Sequence, residues 1–223
     1  MYSVKEVFLT LQGEGAQAGR AAVFVRFTGC NLWSGAENAR QYATCKFCDT
    51  DFVGTDGVRG GRYTIGQLVD AVGGCWIEGG GAKPSANSIR NSKSSPMVVL
   101  TGGEPLLQVD GALVKALQGA GFFVALETNG TVQLPCAFDW VTMSPKAGTA
   151  LKVVSGDELK LVFPQPELLP DHPALRDLSF DHWSLQPMDG AALARNTAWA
   201  VHWVKRDPRW RLSVQAHKML GLP

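Results

Sequence analysis

The chain is predicted to be an α/β protein whose curved parallel sheet, covered outside by helices, makes an incomplete, TIM-like β/α barrel. Three observations predict it. From residue 97 onward, short apolar runs rich in β-branched and aromatic residues alternate with stretches of helical period, the pattern of strand–helix repeats in a parallel sheet. The segment Ala22-Val23-Phe24-Val25-Arg26-Phe27-Thr28 is apolar on both faces, as a strand covered on both sides should be. Finally, Thr101, Glu127, Ser144, Lys146, Gln186 and His217 fall at or just past the ends of predicted strands. In parallel barrels that rim carries the chemistry.

Taken in order, residues 5–15 lead into the first strand at 22–28, and Glu37 to Tyr42 can make a short helix inside the segment 31–44. Turn-rich Gly54-Thr55-Asp56-Gly57 and Arg59-Gly60-Gly61-Arg62 follow. A helix over 64–72 is signalled by Thr64, by Gln67 three residues later and by apolar residues at helical spacing. Strands are expected at 97–101, 122–127, 140–143, 158–163, 182–186 and 212–216, with helices at 106–119 and 190–206. Between 79 and 96 the composition turns to Gly, Ser, Asn, Lys and Pro, which reads as a flexible surface loop and not as a domain boundary. One domain over residues 1–223 is expected.

The formal net charge of +1 argues against binding along a nucleic-acid backbone. No apolar run reaches transmembrane length and Met1 to Glu6 lacks the apolar core of a signal peptide, so no membrane partner and a cytoplasmic location are expected. Five cysteines, an odd number, read as thiols and not as a disulfide framework.

Cys30, Cys45 and Cys48 can converge on one metal centre and leave its fourth corner without a protein ligand. A closed zinc site would want that fourth ligand, and Cys75, Cys136 and His172 lie far downstream. Cys-x-x-Cys alone is compatible with zinc, redox or cluster chemistry. Cys75 and Cys136 read as small buried apolar residues. Arg26, interrupting an apolar strand, needs an anion: an internal carboxylate or that of a substrate. Glu127 can be a helix cap, Gly102-Gly103 a plain turn and Thr50 a turn cap, and each has a second reading beside the cysteines.

Around the cysteines stand Leu11-Gln12-Gly13-Glu14-Gly15, Thr101-Gly102-Gly103-Glu104-Pro105, Glu127-Thr128-Asn129-Gly130 and Ser144-Pro145-Lys146. With these motifs the chain resembles the radical S-adenosylmethionine (SAM) superfamily from about residue 5 onward. Within it, the chain resembles the 7-carboxy-7-deazaguanine synthase family of the queuosine pathway. The fourteen residues between Cys30 and Cys45 resemble the expanded loop of some members of that family.

The resemblance implies a partial barrel of the radical SAM type and a lyase that turns 6-carboxy-5,6,7,8-tetrahydropterin into 7-carboxy-7-deazaguanine with loss of ammonia. It implies that Cys30, Cys45 and Cys48 hold one [4Fe-4S] cluster per subunit and that Thr50 meets Mg²⁺. It implies a SAM pocket built from Phe47, Asp49, Gly103, Glu104, Glu127, Ser144, Lys146 and Lys160. By the same resemblance Leu11, Gln12, Gly13, Glu14, Arg26, Thr101, Gln186, His217 and Pro223 bind the pterin, and SAM supplies the radical that abstracts the hydrogen. An electron donor such as flavodoxin or ferredoxin and a homodimer are further implications. Met219, Leu220 and Leu222 suggest a C-terminal tail that is packed down. The competing readings are another radical SAM enzyme, such as a glycyl-radical activase, and a zinc-binding interaction module.

Overall fold

The computed structural model describes residues 1–85 and 94–223. Strands β1 (Tyr2–Leu11), β2 (Ala21–Phe27) and β3 (Gly61–Tyr63) come first, followed by helix α1 (Ile65–Glu78). Then come β4 (Met97–Gly102), α2 (Gly111–Gly119), β5 (Phe123–Thr128), β6 (Trp140–Met143), β7 (Ser155–Phe163), β8 (Ser179–Pro187), α3 (Leu193–Arg206), β9 (Trp210–Leu212) and α4 (Ala216–Leu220). Among the described residues these strands form one nine-stranded sheet in the order β3-β1-β2-β4-β5-β6-β7-β8-β9. From β2 to β9 every neighbour is parallel, whereas β1 runs antiparallel to both β2 and β3. Because β3 and β9 are edges, the sheet does not close and the barrel is partial.

Side chains alternate across this sheet as the period of two requires. Val98 and Leu100 of β4, Val124 and Leu126 of β5, and Leu159 and Leu161 of β7 all join the large core under the helices. On the opposite face, Ala22, Met97, Val99, Phe123 and Ala125 form a second, smaller apolar cluster. Continuing along that inner face, β4 reads Met97, Val99, Thr101 and β5 reads Phe123, Ala125, Glu127. The inner face therefore runs from apolar at the strand starts to polar at the strand ends, which seals the bottom of the sheet and leaves a polar mouth at the top.

Strands β4 to β8 fall within a few residues of the expected places, and Trp140–Met143 matches in full. Thr64 caps α1 through a reciprocal capping box with Gln67. That helix runs on past residue 72, through Gly73 and Gly74 to Glu78, because Leu68, Val72 and Cys75 all bury against the core. The expected helix at 106–119 is split. Pro105–Leu107 is a single tight turn, and the helix proper starts only after Asp110, whose carboxylate accepts from Leu113 N at 2.9 Å. Between them Gln108 spends its amide on backbone, accepting from Ser3 N at 2.7 Å and donating to Thr28 O at 2.8 Å. The helix at 190–206 begins instead at Leu193, and the short helix at Glu37–Tyr42 is a 3-10 helix.

Three expectations are corrected. Residues 2–11 are a strand, not a lead-in. Tyr2 and Val4 face the core, then a bulge at Lys5 shifts the register, and Val7 faces it next, so a pattern of strict alternation is broken in its middle. Gly61–Tyr63 is a short edge strand where the sequence shows only turn residues. The last strand ends at Leu212, and residues 216–220 are helical, because Ser213 turns in to donate to Gln186 and Gln215 to donate to Glu14. Of the expected surface loop at 79–96, residues 86–93 lie outside the described residues.

Candidate active site at the strand ends

A cavity of about 610 Å³ opens at the C-terminal ends of the parallel strands, a size suited to one or two small molecules. All the site residues proposed above line it except Glu104: the substrate-binding set, the cysteines with Thr50, and Phe47, Asp49, Gly103, Glu127, Ser144, Lys146 and Lys160. Cys75 and Cys136 lie elsewhere, in and beside the main core.

Glu104 is fully buried beneath the wall. Its carboxylate accepts from Leu106 N at 3.0 Å, Thr128 Oγ1 at 2.9 Å and Asn129 N at 2.8 Å. Burial pushes its carboxyl up and these donors pull it down. Glu104 therefore fastens the β5 end to the turn after β4, and it is the one expected SAM-pocket residue that does not line the cavity. Gly103, in contrast, must be glycine: a Cβ there would strike Gly29 O and Cys30 Cβ. Asn129, to which no role was assigned from the sequence, joins the same wall by donating to Asn31 Oδ1 at 3.0 Å.

The three cysteines line the same cavity, Cys45 buried and Cys30 and Cys48 half-buried. Cys48 is pulled down to about 6, chiefly by the hydrogen bond from Cys45, whose own thiol that bond and burial push up. Burial raises Cys30 as well, against a 3.4 Å hydrogen bond from Leu32 N. Lys146 lies beside this set and donates to Ser144 O and Oγ at 2.7 and 2.8 Å. Burial lowers the Lys146 ammonium, and it has no carboxylate partner among the described residues. Three thiols, a half-buried lysine without a carboxylate partner among the described residues and a Cβ-free wall at Gly103 fit an anionic thiolate cluster with a polar ligand beside it. Among the described residues no three His, Cys, Asp or Glu side chains are gathered as for a single metal ion. A cluster spreads its cysteines over separate irons and needs no such gathering.

Across the cavity sits a network of buried charge. Lys160 pairs with Glu14 and approaches Glu127 at 3.5 Å. Gln12 Nε2 donates to Glu127 at 3.0 Å, and Gln215 Nε2 donates to Glu14 at 2.9 Å. Burial works to raise Glu14, yet Lys160 holds its carboxyl down at about 2. Burial likewise disfavours the Lys160 ammonium, but Glu127 and Glu14 more than offset this and raise it. Lys160 thus links Glu14, expected to bind substrate, with Glu127, expected beside SAM.

Arg26 meets an internal carboxylate with part of its guanidinium. Its Nε donates to Glu6 Oε1 at 2.7 Å, the pair that β1–β2 register sets side by side. Nη1 and Nη2 carry no hydrogen bond among the described residues, so the fork remains able to meet a second anion. Next to it Phe8 and Phe24 stack with centroids 5.6 Å apart. Glu6, Phe8 and Thr10 were missed because β1 was missed; once the strand and its bulge are known, their even spacing shows them on the cavity face.

The C-terminal tail is anchored differently from expectation. Met219 and Leu220 are 79% and 64% exposed, so burial of apolar side chains does not hold it. Polar bonds do. Ala216 N donates to Gly13 O at 2.9 Å, Thr10 Oγ1 donates to Pro223 O at 3.1 Å, and Lys218 bridges Asp49 and Asp189, each at 2.6 Å. His217 packs closely on Gly13, where any Cβ would collide with its ring. Asp49, expected near SAM, is thereby tied to the tail.

No protein-family model matches the chain. It is 54% identical over 222 residues to a 7-carboxy-7-deazaguanine synthase of Bradyrhizobium diazoefficiens, covering 99% of each chain. It is 53% identical over 223 residues to one of Bordetella pertussis, covering 100% of this chain and 99% of that one. The crystal structure of QueE from Escherichia coli is similar in fold, with a TM-score of 0.65 at 25% identity over 97% of this chain and 94% of that one. Such full-length similarity leaves the activase and zinc-module readings without support. The chain belongs to the 7-carboxy-7-deazaguanine synthase family.

Proposed function

We propose that this protein converts 6-carboxy-5,6,7,8-tetrahydropterin to 7-carboxy-7-deazaguanine with release of ammonia, in the biosynthesis of queuosine and related 7-deazapurines. The observation that carries the reading is the meeting, in one cavity, of Cys30, Cys45 and Cys48 with Arg26, Glu14 and His217. Cys30, Cys45 and Cys48 would hold a [4Fe-4S] cluster, and Phe47, Gly103, Ser144 and Lys146 would hold SAM. When bound, these cofactors supply the one-electron chemistry that removes a substrate hydrogen. An electron donor of the flavodoxin or ferredoxin type, a homodimer and a cytoplasmic location belong to the same proposal.

The chain's own residues bind and orient. Arg26 offers its free Nη edge to the substrate carboxylate, while Phe8 and Phe24 give the ring an apolar wall. Glu14, kept ionised by Lys160, accepts from the amino and ring N–H groups of a guanine-like edge, since each carboxylate oxygen has a lone pair to spare beyond its internal partner. Gln12, Thr101, Gln186 and His217 complete the polar rim, and the backbone of Leu11 and Gly13 lies alongside. The test is an anaerobic assay of reconstituted protein with SAM, a reductant and carboxytetrahydropterin. The mass of 7-carboxy-7-deazaguanine is expected, with SAM not consumed; a loaded cluster that yields no such product would overturn the reading.

Two side-chain roles follow. Thr50 lines the cavity between Asp49, engaged by Lys218, and Asp51, engaged by Lys5 at 2.8 Å. Its hydroxyl, an oxygen donor suited to a hard cation, would help to hold Mg²⁺ when the ion is bound. Thr50→Ala is expected to shift the Mg²⁺ dependence of the rate to higher concentration; an unchanged titration would assign Thr50 to the local turn alone. For the tail, deleting Leu222 and Pro223 is expected to raise KM for the pterin roughly tenfold, the loss of about 1.4 kcal/mol of binding. Cluster content and SAM binding should be kept. Unchanged kinetics in a folded truncation would make the tail purely structural.

A further inference from the structure

The segment 31–44 between the first two cysteines is folded, not loose. Leu32 O accepts from Thr44 N at 3.1 Å and from Cys45 N at 3.3 Å, so the two ends of the segment are tied together. Inside it Trp33 is buried, edge-on to Phe52 with ring centroids 5.5 Å apart, and its indole N–H donates to Ala36 O at 3.3 Å. The ring is also covered by a guanidinium: Arg40 Cζ lies 3.9 Å from the Trp33 centroid.

Four of the five Arg40 N–H groups have acceptors. Nε and Nη2 form a fork on Glu37, at 2.8 and 2.5 Å. Nη1 donates to two carbonyls of the Cys45–Cys48 segment, Lys46 O at 3.1 Å and Cys48 O at 3.0 Å. These carbonyls flank Phe47 and belong to the turn that sets the spacing of Cys45 and Cys48. Glu37 and Trp33 fix the orientation of the guanidinium, and the guanidinium fixes the turn.

We propose that Arg40 is a positioning residue, through which the segment 31–44 clamps the Cys45–Cys48 turn and keeps the two thiols placed for the cluster. The inference rests on the reading that Cys30, Cys45 and Cys48 hold that cluster. It also explains why the spacer is long, since a short one has no room for a Trp-stacked arginine reaching back to the third cysteine. Lysine cannot substitute in full, because a point ammonium lacks both the flat stacking face and the fork.

The test compares wild type, Arg40→Lys and Arg40→Leu after anaerobic reconstitution. The readouts are the rate of iron release to a chelator, the electron paramagnetic resonance signal of the reduced cluster with SAM, and the split between kcat and KM. Arg40→Leu is expected to release iron about tenfold faster, as befits losing two charged hydrogen bonds and a stack. Arg40→Lys should fall between it and wild type. The resonance signal should broaden and kcat should fall, while KM for the pterin stays unchanged. Wild-type release rates and spectra in both variants would overturn the proposal; should Arg40→Leu fail to fold, a wild-type rate in Arg40→Lys alone would do so. Wild-type protein that takes up no iron would overturn the cluster reading and this proposal together.

Discussion

Replacing Cys30, Cys45 or Cys48 by alanine is expected to bring iron content after reconstitution to background and to abolish product formation. Each of these cysteines lines the cavity, and among the described residues no other cysteine does, so the site holds no spare thiol. An open cluster with two protein ligands has lost a covalent bond that no neighbour can replace. Cys75→Ala and Cys136→Ala are expected to keep full iron and full activity. Cys75 is buried in the main core and its loss should cost only about 1 kcal/mol of stability. Iron analysis of the five single variants decides the matter: loss of cluster in either of the last two would contradict the assignment.

Lys160→Met is expected to destabilise the fold by about 3–5 kcal/mol, the usual cost of stranding a buried charge, and to abolish activity. The Lys160 and Glu14 side chains are only 6% and 14% exposed, so solvent does little to screen the change. The pH dependence supplies a sharper readout. In the wild type the Glu14 carboxyl is held at about 2, against an ordinary 4.5. A depressed folded value contributes stability that is present above the unfolded value and is lost as pH falls from about 4.5 toward 2. Without Lys160 the burial of Glu14 acts unopposed by its chief partner and raises the carboxyl above its unfolded value. The sign then reverses, and Glu14 costs stability as pH rises through 4.5. Denaturant midpoints across that range should slope in opposite directions in the two proteins, and parallel slopes would mean that Glu14 and Lys160 do not interact in solution.

The parallel strand–helix repeats after residue 97 were legible in the sequence alone, because each buried strand there is apolar and the helices carry their own period. So was the family, through motifs whose residues reappear around one cavity. Local chemistry carries such signals: a capping threonine at Thr64, an apolar strand at 22–27, a Cys-x-x-Cys at Cys45 and Cys48. Other features emerged only in three dimensions, where partners far apart in the chain meet. The bulge at Lys5 switches which residues of β1 face the cavity, and nothing nearby in sequence announces it, since Lys5 answers to Asp51 and Asp56. Nothing near Glu104 in sequence shows that Thr128 and Asn129, 24 and 25 residues on, donate to its carboxylate. Lys160 and Glu14 stand 146 residues apart, yet each helps to keep the other charged against burial. The tail followed the same rule. Its apolar residues suggested burial, but polar bonds to Thr10, Gly13, Asp49 and Asp189, spread along the chain, fix where it lies. Hydrophobic period is a property of neighbours in sequence, whereas the pairing of buried polar groups is a property of neighbours in space.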